Sequence, residues 1–323
     1  MKYTDVPLFL RDFFDYLQTI KSLSSSTVTE YYYDLKLYLK FIYYRKVDST
    51  TDNIDDIDVT NFDINILEDV NLMDIHSYIA YRDTRRDNSS STRARKISSL
   101  RSFYKYMVSV AKLLDNDPTT ELESPKLKKR NPIYLTLDES KKLLETVLTT
   151  KNDFIRKRDF AIILTFLTTG IRLSELASMN MNSIRDLQFT VIGKGNKERI
   201  VYMTEACQYA INDYIKVRPK VDDKEKALFL STRRQRISNR AIQHMIDKYL
   251  NMAGFDIRLY STHKLRHTAA TLMYKEGVDI RTLQKILGHS SVATTQIYTH
   301  VEDQDMRDAI AHNPLADINV DKN

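Results

Sequence analysis

Six side chains in the second half of the chain have the chemical types needed to break a phosphodiester without a metal ion: Arg172, Lys194, His263, Arg266, His289 and Tyr298. Such a reaction needs a nucleophile at phosphorus, cations that neutralise the nonbridging oxygens, and an acid for the leaving oxygen. Arginine suits the charge role, because its guanidinium stays protonated and binds phosphate oxygens in pairs. Tyrosine is a candidate nucleophile whose ordinary pKa of about 10 means that it needs help to lose its proton.

The first two of these residues follow predicted structural elements. A helix is predicted over 154–168, and Gly170 is a plausible left-handed cap, so Arg172 lies just after a helix end. A β-hairpin is predicted over 188–203, because β-branched segments flank a glycine-containing turn, and Lys194 lies at its tip. Arg172 would also be explained as a cap for the preceding helix, and Lys194 as a solvated surface lysine.

The remaining four are also tied to helices. His263 and Arg266 are three residues apart, which puts them on one side of a helix, while His289 follows a helix break and Tyr298 lies near the end of a short helix. His263 and His267 have the spacing of a metal pair, but the glutamate of a zinc-protease helix is missing and the intervening residues are cationic. Tyr298 is one of twenty tyrosines, most of which are expected to pack in the core.

Taken in order, these residues resemble the tyrosine recombinase (phage integrase) family. The family pattern consists of an arginine in a Thr-Gly-x-Arg-x-Ser-Glu-Leu box, a hairpin lysine, a His-x-x-Arg-His box, a Leu-Gly-His box and a tyrosine nine residues later, all of which occur here. The residues in and around the last two boxes are most similar to those of Xer-type site-specific recombinases. An acidic stretch at 48–70 and the pair Ala269 and Ala270 depart from the Xer pattern.

The resemblance implies how the phosphate is attacked and held. Tyr298 would attack the scissile phosphate and become joined to the 3′ phosphate of the DNA. Arg172 and Arg266 would hold the nonbridging oxygens, and His289 would donate a hydrogen bond to the phosphate.

The resemblance also implies how protons move. His263 would help to accept the tyrosine proton, Lys194 would protonate the leaving 5′ hydroxyl, and His267 would either brace the site or take part in it. No cofactor, metal ion or ATP is implied, because the phosphotyrosyl ester conserves the energy of the broken bond.

The implied substrate is a double-stranded DNA recombination site. Strand exchange between two duplexes implies four protomers in a homo- or hetero-tetramer, with a second recombinase and a DNA translocase as candidate partners. The tail over 302–313 has a helical pattern that fits docking on a neighbour or folding back on its own core. A mobile-element integrase or invertase would use the same chemistry, a type IB topoisomerase would use a similar residue set, and a noncatalytic DNA-binding protein remains a further alternative.

The composition is that of a basic protein. The 323 residues include 49 Lys and Arg against 43 Asp and Glu, for a net charge of +6 at pH 7, which favours a polyanionic partner or simply a well-solvated surface. The single Cys207 excludes an internal disulfide framework, and no apolar run approaches the roughly 20 residues that span a bilayer. The expected location is the cytoplasm, in association with the nucleoid and without a membrane partner.

The predicted fold class is mainly α, with a small β-hairpin or sheet in the catalytic domain. Residues 1–115 form a helical DNA-binding domain in this prediction, 116–132 a basic linker with three prolines, and 133–323 the catalytic domain. The resemblance adds a two-domain, C-shaped DNA clamp. Residues 48–70 contain eight Asp or Glu and no Lys or Arg, which predicts an exposed connection facing away from nucleic acid. Capping-box spacing marks two helix starts, at Thr27 with Glu30 and at Thr136 with Glu139.

Ten side chains are predicted to contact DNA: Arg93, Arg95, Lys96, Arg101, Lys128, Lys129, Arg234, Arg236, Arg240 and Gln243. The first four lie mostly off the apolar stripe of one predicted helix. This position is expected of a phosphate-binding face, and equally of solvated charges on an ordinary amphipathic helix. A helix that starts near Ser238 is the best candidate for the major groove.

Overall fold

The computed structural model describes residues 3–51, 53–85, 90–123, 133–192, 198–222, 225–288 and 294–295. Within these ranges the chain is mostly helical and carries one small antiparallel sheet, which confirms the predicted fold class. Tertiary contacts divide the chain into two units, Met1–Lys129 and Arg130–Asn323. The division falls inside the predicted linker 116–132. None of the helices in the described ranges has both the length and the apolar character needed to cross a membrane.

The described part of the first unit is built from four α-helices: α1 (Leu8–Thr19), α2 (Ser25–Lys46), α3 (Leu72–Arg85) and α4 (Ser90–Tyr106). After α4 the chain continues as a π-helical turn, Met107–Ala111, and leaves it at Lys112 in the left-handed conformation. Aromatic side chains dominate the core, and the buried hydroxyls of Tyr38 and Tyr104 lie 2.6 Å apart in a hydrogen bond that joins α2 to α4.

The acidic stretch 48–70 is more than an exposed connection, so that prediction is wrong for the six buried residues among those that the structure describes there. It forms two short 3-10 turns, Ile54–Asp56 and Ile64–Leu67. Its buried apolar side chains join the core of the first unit: Ile54, Ile57, Val59, Phe62, Leu67 and Val70. The apolar residues alternate with the acidic ones, and this lets the backbone lie on the core while most of the described carboxylates face solvent.

The two predicted capping boxes have different outcomes. At the start of the second unit, Thr136 Oγ1 accepts the backbone N–H of Glu139 at 3.2 Å and the Glu139 carboxylate accepts the N–H of Thr136 at 2.7 Å, which confirms that box. The box predicted at Thr27 and Glu30 is wrong. Ser24 caps α2 instead, and its hydroxyl accepts the N–H of Thr27 at 3.3 Å, because the preceding serines supply an earlier cap.

The described part of the second unit contains seven α-helices: α5 (Leu137–Leu148), α6 (Asp153–Thr169), α7 (Leu173–Ser178), α8 (Glu205–Val217), α9 (Asn239–Met252), α10 (Thr262–Lys275) and α11 (Ile280–Leu287). The central helix is α6, which packs against α5, α8 and α10 and buries Ile162 and Phe166 completely. The predicted helix over 154–168 corresponds to α6, and its end at a left-handed Gly170 is confirmed.

The predicted hairpin is confirmed as part of a three-stranded antiparallel sheet in the order β1 (Ile184–Arg185), β2 (Gln188–Ile192) and β3 (Glu198–Tyr202). In this register Val191 pairs with Arg199. The two-residue strand β1 was not predicted, because two residues carry no readable periodicity.

Candidate active site

Three of the six predicted catalytic residues line a single cavity of about 570 Å³ in the second unit: Arg172, His263 and Arg266. Gln243, predicted to contact DNA, lines the same cavity, together with polar side chains that the sequence analysis did not single out: Ser174, Asn239, Thr262 and Thr294. Five other predicted site residues lie outside the described residues: Lys128, Lys129, Lys194, His289 and Tyr298.

Arg172 is placed by a glycine turn between α6 and α7. Gly170 has φ +60°, and a Cβ there would lie 2.8 Å from Leu287 Cδ2, so the turn requires glycine. The Arg172 guanidinium donates from Nη1 to Glu175 Oε1 at 2.8 Å and from Nη2 to the carbonyl of Gly288 at 2.7 Å. Its backbone N–H donates to Glu175 Oε2 at 3.0 Å. The side chain is therefore fixed from two sides while it lines the cavity.

Arg266 enters the cavity from α10 and is only 4% exposed. Its Nη1 donates to the carbonyl of Gly170 at 2.5 Å, and its Nη2 donates to the carbonyl of Leu287 at 2.6 Å. Arg266, and not Arg172, therefore binds a carbonyl at the end of α6. The alternative interpretation of Arg172 as a cap of α6 is not what the structure shows.

The end of α11 is held by three arginines in a row. Its last carbonyls accept, in order, one bond each: Ile286 from Arg199, Leu287 from Arg266 and Gly288 from Arg172. Carbonyls at a helix C-terminus lack helical partners and carry the negative end of the helix dipole, so cations are stabilised there. One helix end thereby sets the positions of both predicted catalytic arginines.

Glu175 completes this arrangement and was missed as a site residue by the sequence analysis. It is 2% exposed, and its two carboxylate oxygens contact Arg172 and Arg199 at 2.8 Å each. Burial would raise the pKa of Glu175, but the hydrogen bonds from Arg199 and Arg172 outweigh it and hold the pKa below its usual value. The carboxylate stays charged at neutral pH. An acidic residue three positions after Arg172 at a helix start was the available signal.

His263 lies at the exposed start of α10, with its ring centroid 4.5 Å from that of His267 in an edge-on arrangement. Partial removal from water and the positive charges of Arg266 and Lys264 lower the pKa of His263 below its ordinary value. The imidazole is therefore mostly neutral at pH 7 and able to accept a proton. Among the residues that the structure describes, no three His, Cys, Asp or Glu side chains are grouped as metal ligands.

The basic residues predicted on α4 are largely engaged within their own unit. Lys96 is 5% exposed and its ammonium lies 2.9 Å from the carboxylate of Asp34, so its predicted placement on an exposed basic face is wrong. Arg95 also pairs with Asp34, and Arg101 donates to a backbone carbonyl, while Arg93 is half-buried. Burial of Asp34 between α2 and α4 explains the difference, because a buried carboxylate requires cations.

The residues predicted around α9 divide into two kinds. Arg236 donates to two backbone carbonyls and to the side-chain oxygen of Asn180 at 2.6 Å, so its guanidinium braces the fold. Arg234 and Arg240 are exposed, and Gln243 is half-buried at the cavity wall. Arg240 and Gln243 both lie on the first turns of α9, and of the two only Gln243 lines the cavity with the predicted catalytic residues.

Comparison with known families gives a consistent assignment for both units. Residues 134–305 match the phage integrase family, and residues 10–110 match its N-terminal SAM-like domain. The chain belongs to the phage integrase family. This confirms the resemblance inferred from the motifs.

A curated relative and two solved structures are similar to nearly the whole chain. Tyrosine recombinase XerC of Caldanaerobacter subterraneus subsp. tengcongensis is 49% identical over 320 residues, covering 98% of this chain and 89% of the relative. The XerH site-specific recombinase bound to a difH substrate, in a pre-cleavage complex, has a TM-score of 0.69 at 20% identity and covers 94% of each chain. A lambda integrase tetramer bound to a Holliday junction has a TM-score of 0.65 at 16% identity, over 90% of this chain and 76% of that one. This chain is a site-specific DNA recombinase of the Xer kind, an enzyme that cleaves and rejoins DNA strands.

Proposed function

We propose that the cavity binds the scissile phosphate and that Tyr298 attacks it to form a 3′-phosphotyrosyl ester. The observation that carries this proposal is the convergence of Arg172, Arg266 and His263 on one cavity. The two guanidiniums neutralise charge on the nonbridging oxygens, and the neutral imidazole accepts the tyrosine proton. Lys194 then protonates the 5′ hydroxyl as it leaves.

His289 has a supporting role in this proposal. It follows Gly288, whose carbonyl is bound by Arg172, so the chain reaches His289 directly from the helix end that the arginines hold. From there it donates a hydrogen bond to the phosphate. Attack by the 5′ hydroxyl of a partner strand reverses the chemistry and joins the new strands.

The guanidiniums of Arg172 and Arg266 are already oriented before a phosphate binds. Each already makes two hydrogen bonds, to buried carbonyls or to Glu175, which fix its orientation. A site whose cations are held in place does not have to reorganise when charge builds up at phosphorus, and this is the main electrostatic source of catalysis. Fixed cations of this kind stabilise the transition state more than they stabilise the bound substrate.

The proton-acceptor role of His263 predicts its titration. In the free enzyme the imidazole should titrate with a midpoint below the ordinary value of about 6.5, because partial desolvation and two neighbouring cations disfavour the charged ring. The neutral form then predominates at pH 7, and the stability it contributes to the fold is lost as the pH falls through this midpoint.

Proton NMR of the imidazole signals measures the midpoint, and the His263→Gln variant identifies which of the seven histidine signals is lost. A midpoint at or above the ordinary histidine value would contradict a resting neutral acceptor.

DNA contacts follow from the same placement. Gln243 lines the cavity, and the exposed Arg240 directly follows Asn239, which also lines it, so we place both side chains on base edges or phosphates next to the cleavage point. Arg234, Lys128 and Lys129 are assigned to the phosphate backbone.

In the cell, we propose that the enzyme resolves chromosome or plasmid dimers, as a cytoplasmic protein that acts on the nucleoid. The support is the similarity of nearly the whole chain to a XerC recombinase. Four protomers assemble on two duplexes, with a second recombinase and a DNA translocase as partners. The lambda integrase structure of the same fold is itself a tetramer on a Holliday junction, which supports this stoichiometry.

Mapping the covalent adducts on the host chromosome tests the role. Cells are lysed in detergent to trap the enzyme on its site, and the attached DNA is sequenced. We expect one major site in the region where replication ends, and dimeric chromosomes in a deletion strain. A site that flanks the gene of the enzyme itself would instead identify a mobile-element integrase.

A further inference from the structure

Arg199 is an arginine at a core-facing position of a strand. On β3 it shares a face with the buried Val201 and pairs across the ladder with the buried Val191, and its side chain is only 17% exposed. Charged side chains are rarely placed this way unless they are paired. Lys194 precedes it by five residues in the chain, so β3 leads directly away from the predicted proton donor.

The guanidinium of Arg199 links two elements of the active site. Its Nη2 donates to Glu175 Oε2 at 2.8 Å, and its Nη1 donates to the carbonyl of Ile286 at 2.5 Å. It also packs against Gly288, where an added Cβ would lie 3.0 Å from both Cδ and Nε of Arg199. A side chain at position 288 would therefore push the guanidinium away, in addition to the strain of φ +61°.

One N–H donor of the Arg199 guanidinium makes no hydrogen bond within the described part of the chain. The Nε of Arg199 is buried and has no hydrogen-bond partner among the described residues. An unmade buried hydrogen bond costs stability, so stability of the fold alone is a weak explanation for an arginine here. The side chain does not line the cavity either, so it acts through the groups that it holds.

We propose that Arg199 is a positioning residue that locks the hairpin, Glu175 and the end of α11 into one unit. Through Glu175 it orients Arg172, and through Ile286 it fixes the helix end that leads to His289. The proposal deepens the proposed function and rests on Arg172 as a phosphate ligand. Lysine could not replace it fully, since a single ammonium lacks the planar fork that reaches a carboxylate and a carbonyl together.

A cleavage assay on the full chain tests the proposal. Single-turnover cleavage of a nicked suicide substrate is measured for Arg199→Met and Arg199→Lys, with DNA affinity measured in parallel. We expect Arg199→Met to slow cleavage on the order of 10²-fold, because a small misplacement of a phosphate ligand has that effect, and to change affinity little. Arg199→Lys should recover part of the rate. The matched control is Arg185→Met, at an exposed arginine on β1 of the same sheet, which should cleave like the wild type.

A double-mutant cycle with Arg172→Lys separates positioning from general support of the fold. If Arg199 acts through Arg172, the loss caused by Arg199→Met should largely disappear when Arg172 is already changed. Wild-type cleavage by Arg199→Met, or losses that simply multiply in the double variant, would overturn the proposal. If circular dichroism shows that Arg199→Met does not fold, the same double-mutant cycle is measured with Arg199→Lys in its place. Failure of the proposed function is seen separately, as a covalent adduct that survives Tyr298→Phe.

Discussion

Changing Tyr298 to phenylalanine should leave DNA binding intact and abolish the covalent protein–DNA adduct. The variant keeps the ring and loses only the hydroxyl, which is the proposed attacking group. A nicked suicide substrate traps the adduct, and a denaturing gel measures it as a protein band shifted by the attached DNA. Binding is measured on the same DNA by a mobility shift in native conditions.

Tyr209→Phe is the matched control for this experiment. Tyr209 is 71% exposed on α8, so the change removes one hydroxyl from the surface and should leave adduct formation at the wild-type level. An adduct that persists in the Tyr298 variant at the wild-type level would identify another residue as the nucleophile. The assignment of Tyr298 as the nucleophile, which rests on its position after the other motifs, would then be wrong.

Changing Arg266 to alanine should reduce cleavage far more than binding. The expected loss in rate is on the order of 10²–10³, because the guanidinium stabilises charge that develops only in the transition state. The measurement is single-turnover cleavage at saturating enzyme, compared with the dissociation constant of the same variant. Equal losses in rate and in affinity would favour a plain binding role.

Arg266 also supports the fold, and the controls for its replacement account for this. Arg266 also binds the carbonyls of Gly170 and Leu287, so its removal leaves buried acceptors without a partner. Arg266→Lys keeps the charge and should therefore retain some cleavage. Its rate should remain below that of the wild type, because an ammonium cannot hold two carbonyls and a phosphate in one plane. Thermal unfolding of both variants shows how much of the loss is a loss of fold.

Changing Arg240 to alanine should give the opposite pattern, weaker binding with normal cleavage. Arg240 is exposed on the first turn of α9, where we place a DNA contact. Its removal should weaken binding and reduce the salt dependence of binding by about one ion if it contacts a phosphate, while trapped complexes are cleaved at a normal rate. The contrast between Arg240 and Arg266 separates affinity from chemistry.

The amino-acid sequence was enough to predict the family and the mainly helical fold class, and its motifs name the candidate catalytic side chains. Local interactions explain why the predicted helices and hairpin form. A left-handed glycine ends α6, a capping box begins α5, and alternating β-branched residues form the hairpin, so each element is specified by neighbours in the chain. The motif residues Arg172, His263 and Arg266 then meet in one cavity, as the family resemblance implies.

Three-dimensional packing was needed to distinguish the charged side chains that support the fold from those that face the site. Lys96 has the charge expected of a DNA contact but is buried against Asp34, and Arg236 donates hydrogen bonds to the backbone carbonyls of Ala177 and Met179 at the end of α7. Glu175 and Arg199 were not predicted, although both hold the active site together. Each of these roles depends on a partner 24 or more residues away in the chain, and periodicity carries no information about which distant group will compensate a buried charge.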